Sequence, residues 1–278
     1  MIKKIQKKYA VMLIILASVT VIMSCAMTAV LYFNYDSHTQ LTDGVMHTVL
    51  MALIAPVFGG ISAACAWVMK KKTLIDYDRE GKLNVFSKIC CALVAVVGAV
   101  LSMSYLMGSY ADPLKNLMSQ PGAAPYYSNL LSVVLAICVS VVMAFMVFSK
   151  KGPYSPSRQL PLLGFAICYG VRLHTDMSNL LMNTRRMIGV LAICMLLIFI
   201  TAKIRILCDK IDQTYYLVSG FMAVGTLAVS GVSGVMLNVL GAANDGIQFW
   251  FYAYELVLAI YVFSELVKYS YETKQVNK

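Results

Sequence analysis

The chain has 278 residues, of which 60% are hydrophobic and 13% charged, with a mean hydropathy of +0.74. A soluble domain carries roughly 45–50% apolar and about 25% charged residues, so a soluble globular protein, a disordered chain and a disulfide scaffold are all excluded. The 23 Lys and Arg outnumber the 13 Asp and Glu, a formal charge of +10, which reflects either an acidic partner or the bias of cytoplasmic loops toward basic residues.

Lys3, Lys4, Lys7 and Lys8 precede a first apolar run over 9–33. Ser24-Cys25 within it resembles a lipoprotein cleavage site behind a basic leader, but the run continues to Phe33, as an uncleaved span does. A short loop with Asp36, His38 and Asp43 leads to a second run over 45–69, closed by Lys70, Lys71 and Lys72. The next loop adds Arg79, Lys82 and Lys88 before a third run over 89–108. A loop rich in Pro and Gly precedes the fourth run, 130–148, which ends in Lys150, Lys151 and Arg158. The fifth run, 160–182, is more polar, and Arg185 and Arg186 follow it. A sixth over 187–202 is closed by Lys203, Arg205 and Lys210, a seventh covers 215–240, and an eighth covers 249–267 before a basic tail.

Threading these as eight spans with both termini in the cytoplasm puts nineteen of the 23 basic residues inside and three outside, with Arg172 within a span. That asymmetry orients the chain and accounts for its charge without a nucleic acid. The expected fold is all-α: a polytopic membrane bundle of about eight helices, one transmembrane domain over 1–278, in a cell (inner or plasma) membrane. The fifth run is its weak element. Its purely apolar part, Leu160 to Tyr169, is short for a crossing, and a re-entrant half-helix would leave seven spans.

The eight cysteines fall in spans or at the inner face, and no Cys or His spacing suits a metal. No metal or cofactor is therefore expected. Gly231-Val232-Ser233-Gly234 matches the Gly-x-Ser-Gly pattern of rhomboid-type intramembrane proteases, whose serine needs a histidine base on a later span; no histidine follows Ser233 here. A His-Glu-x-x-His zinc motif and a phosphate-cradling loop are also missing from the sequence. No catalytic residue is assigned.

Charges inside a bilayer are costly and tend to mark function. Arg172 and Asp176 are four apart and share a helical face, whereas His174 points about 160° away. Counting a ~1.5 Å rise per residue, Arg172 and Glu255 stand at similar depths in a ~30 Å core. Arg172, Asp176 and Glu255 are thus the candidate substrate or ion site. Glu265 stands three residues from Lys268, an i, i+3 pair at the inner interface. Ser230, Gly231 and Gly234 form a small-residue face for close helix packing.

Three functions fit. The first is a small-solute transporter, or the membrane subunit of one, with its polar site between spans five, seven and eight. The second is a non-transporting accessory or assembly subunit of a larger complex. The third is an intramembrane enzyme. Besides the lipid bilayer, another membrane subunit or a cytoplasmic ATPase is a candidate partner, with the basic loop over 70–88 as a docking surface.

Overall fold

A computed structural model of the protein describes residues 2–34, 45–69, 85–109, 124–148, 155–175, 184–208, 213–241 and 246–272. Among them the chain forms eight α-helices: α1 (Ile2–Asn34), α2 (Val45–Met69), α3 (Val85–Ser109), α4 (Ala124–Phe148), α5 (Leu160–Thr175), α6 (Thr184–Leu207), α7 (Gln213–Val239) and α8 (Gly246–Glu272). No described residue is in a strand. Seven of the helices are long and apolar enough to cross a membrane; α5, with 16 residues, is shorter. A 3-10 turn, Pro156–Gln159, leads into α5. Pro161 follows in the first turn of the helix, where a missing N–H costs nothing.

Helices α3 to α8 close into a six-membered ring in chain order, with α8 returning to α3, and α1 and α2 pack against α7. Neighbours in the ring run antiparallel. Gly170 of α5 faces Ile193 of α6 and Gly189 faces Leu173, while α7 meets α8 at Gly220–Leu266 and again at Gly231–Tyr252. Gly98 of α3 lies against Ala136 and Ser140, and Ser102 reaches the Val133 carbonyl at 3.5 Å, so α4 runs against α3. Both α4 and α6 are therefore parallel to α8, and α5 carries the chain back between them.

The least apolar spans are the most enclosed. Of the candidate spans, α7 is 83% buried and α8 61%, against 28% for α1. Lipid gives helices no hydrophobic reason to associate, so a central helix needs small residues and satisfied hydroxyls. In α7 the hydroxyls of Ser219, Thr226 and Ser233 donate to the carbonyls four residues back, Tyr215, Met222 and Val229, at 2.7–2.8 Å. A Cβ on Gly231 would lie 2.7 Å from the Leu256 nitrogen and 2.9 Å from the Tyr252 oxygen, which shows how closely the α7 and α8 backbones approach. Just past the end of α7 stands Gly241, whose φ of 75° is the left-handed conformation that glycine adopts without strain. Tyr9 of α1 donates to the Leu266 carbonyl at 3.1 Å. The start of the first helix and the end of the last thus share one face of the bundle.

Candidate functional site

Helices α5 and α8 are not neighbours in the ring; their side chains meet across its interior. Phe165 and Tyr169 stand one turn apart on α5. The Tyr169 ring lies nearly parallel to Phe251 of α8, centroids 5.0 Å apart and planes 6° apart. Phe165 stacks on Tyr169 at 5.5 Å and meets Tyr254 edge-on at 4.9 Å. One more α5 turn places the Arg172 guanidinium 3.8 Å from the centre of the Phe251 ring and 5.5 Å from that of Tyr169. A guanidinium over aromatic faces keeps part of its electrostatic stabilisation away from water. Arg172 is only 6% exposed.

Below the arginine, the Tyr169 hydroxyl donates to Oε1 of Glu255 at 2.6 Å, the short length typical of a bond to a charged acceptor. Glu255 is 1% exposed. Gly189 of α6 brings a bare stretch of backbone up to this carboxylate: a Cβ there would lie 3.9 Å from Oε1 and 3.8 Å from the Ser230 hydroxyl of α7. The Tyr254 hydroxyl is buried in the same layer, with no hydrogen-bond partner among the described residues. Four helices, α5 to α8, thus enclose one cation, one carboxylate, a phenol bound to it and a phenol with no partner among the described residues.

Of the residues singled out from the sequence, Arg172 and Glu255 come together through Tyr169 and Phe251. Asp176 lies outside the described residues. His174 is exposed, on the side of α5 away from Arg172, as their spacing requires. Ser230 borders the layer, and Gly231 and Gly234 abut α8, the latter against the Tyr252 ring. The Ser233 hydroxyl donates to the Val229 carbonyl of its own helix. Five residues of this layer, Phe165, Tyr169, Gly189, Phe251 and Tyr254, escaped the sequence reading. Tyr169 was legible in principle, since it precedes Arg172 by one turn on the same face. Gly189 and Tyr254 carry no local signal.

A second charged layer lies one end further along. The sequence reading ends span six at residue 202 and counts Lys203 as a loop charge. Here α6 continues to Leu207 and Lys203 is inside it, 1% exposed. Its ammonium lies 3.0 Å from Oε2 of Glu265 and donates to the Tyr261 hydroxyl at 2.8 Å, both on α8. The helix can continue past this lysine because the buried charge is paired. Glu265, expected to pair along its own helix with Lys268, is joined across the ring instead, and Lys268 is buried one turn on. Ten residues separate Glu255 from Glu265, so the two layers stand about 15 Å apart along α8. Comparison with family models, with characterised proteins and with solved structures returns no match.

Proposed function

We propose that the protein is a small-solute transporter, or the membrane subunit of one, that binds its solute at the Arg172–Tyr169–Glu255 layer and exposes it alternately to the two sides. The observation that carries this reading is the enclosure of that layer by four helices. Ionisable groups at such a depth are expensive and are retained where a pathway needs them. A buried cation and a buried carboxylate in one layer suit a small solute with both signs of charge. The unpartnered Tyr254 hydroxyl adds a polar contact for it. Gly231 lets the α7 backbone lie directly on that of α8, and Gly234 makes room for the Tyr252 ring, a close interface along which the two helices can shift.

The placement we propose is eight crossings of a plasma membrane, with both termini in the cytoplasm. Its supports are the split of basic residues, which is eighteen to three once Lys203 is placed inside α6, the Tyr9–Leu266 bond between first and last helices, and the parallel course of α4 and α6. A re-entrant α5 would return the chain to the end it left and make α4 and α6 antiparallel.

The test is a screen of small zwitterions for thermal stabilisation of the detergent-purified protein, followed by uptake of labelled hits into proteoliposomes. Wild-type protein is expected to accumulate a solute, and Glu255→Gln and Arg172→Lys to lose at least about tenfold of that uptake, the scale of one lost charged contact. Uptake unchanged in Glu255→Gln would overturn the site. No uptake, with a stoichiometric partner chain in native mass spectra of the membrane extract, would replace the transporter by the accessory subunit.

A further inference from the structure

The second layer has features that packing alone does not require. Lys203 and Glu265 join α6 to α8, which α7 separates in the ring, so the pair spans the interior. Lys203 is 1% exposed and Glu265 0%. The other oxygen of the carboxylate, Oε1, is buried with no hydrogen-bond partner among the described residues. Gln159, 1% exposed, ends the 3-10 turn that opens α5, and both atoms of its amide are likewise buried without a partner. The antiparallel register places it level with this layer: Gly170 faces Ile193, and eleven residues in the opposite sense along each helix bring Gln159 to the height of Ile204, beside Lys203. Buried amides and carboxylate oxygens are rarely left unsatisfied.

We infer that Glu265 is a proton-binding site, separate from the solute layer, and that its proton is the coupling ion of the transporter. This rests on the transport reading and names the ion that drives it. While Glu265 is ionised, its bond to Lys203 ties α6 to α8 at the face that holds both chain ends. Separating the helices then would leave two buried charges unpaired, which is strongly unfavourable. A proton taken up on Glu265 makes its side chain a neutral acid with an O–H to donate, and the Gln159 amide oxygen stands at the same level as an acceptor. The Lys203 ammonium, 1% exposed, then loses its counter-charge, and opening this end of the ring, which lets water reach it, relieves that cost.

A proton fits this layer better than a metal cation. Lys203 already occupies the carboxylate as its cation, whereas calcium or magnesium would need about six or more oxygen ligands around it. The other titratable groups around Glu265 are Lys268 on α8 and Cys90 and Cys91 on α3, whose surroundings include Glu265, and Cys91 is also near Lys203 and Lys268. Tyr215 and Tyr216 are the titratable groups that α7 carries near this end; the buried Tyr216 ring lies tilted against Phe199 at 5.1 Å. Tyr9 on α1 is engaged with the Leu266 carbonyl.

The test is an infrared pH titration of the purified full-length protein, reading the carbonyl band of a protonated carboxylic acid in a dry environment. Over the pH range in which the protein stays folded, the wild type and Glu255→Gln are expected to show a reversible band that Glu265→Gln lacks. Lys203→Met/Glu265→Gln, which leaves no unpaired charge, folds even where a single variant does not and must lack the band too. A band that persists in both Glu265 variants, or none in the wild type, overturns the proton site. Proteoliposome uptake separates this failure from that of the transport reading. Uptake driven by a pH gradient in the wild type and only by the solute gradient in the double variant supports the coupling. Uptake insensitive to pH overturns the coupling and leaves transport standing. A titrating band in a protein that moves no solute supports the proton site and overturns transport.

Discussion

The Tyr169 hydroxyl and the Glu255 carboxylate form a 2.6 Å hydrogen bond across the interior of the helix ring, between two helices that are not neighbours in it. The bond gives a buried carboxylate a donor from the helix that also carries Arg172. Replacing Tyr169 by Phe removes the donor and leaves the aromatic stack. A cost of about 1–2 kcal/mol is expected, at the upper end for hydrogen bonds between membrane helices because the acceptor is charged. A double-mutant cycle with Glu255→Gln, read by chemical or thermal unfolding in detergent, measures the coupling; a value near zero refutes the bond.

Tyr254→Phe is expected to behave in the opposite way. Its hydroxyl has no hydrogen-bond partner among the described residues, so its removal relieves a desolvation cost and leaves stability unchanged or raised by about 1 kcal/mol. Solute uptake should fall in the same variant if this hydroxyl serves the solute. A clear loss of stability would show that the hydroxyl is already satisfied.

Gly231→Ala is expected to cost more than about 2 kcal/mol. The new methyl would meet the backbone of α8 at Leu256 and Tyr252, which no rotamer change can relieve. Gly60→Ala on α2 meets nothing within 4 Å, and should be neutral or stabilising by about 0.5–1 kcal/mol through helix propensity. Melting temperatures of the two variants side by side check the contrast.

Removing either partner of the Lys203–Glu265 pair strands a charge in the ring interior, at a cost of about 3–5 kcal/mol. The double variant Lys203→Met/Glu265→Gln should be close to neutral. Single variants as stable as the double one would mean that water reaches the pair.

Sequence alone was enough for the helices of this protein, because an apolar run long enough to cross a bilayer can satisfy its backbone there only as a helix. The expected run over 45–69 coincides with α2, and most of the others differ from their helices only at the ends. The short fifth helix was marked by its brief apolar stretch, and the close packing of α7 by Gly231 and Gly234. Spacing also put Arg172 and Glu255 at similar heights, and in the structure they lie about one helical turn apart, since rise per residue is a local property. Which side chains meet is not local. Tyr169 finds Glu255 at a separation of 86 residues, and Lys203 reads as a loop charge until α8 brings Glu265 to it. The closure of six helices into a ring decided those contacts, because only the ring brings non-neighbouring helices close enough for their long side chains to meet.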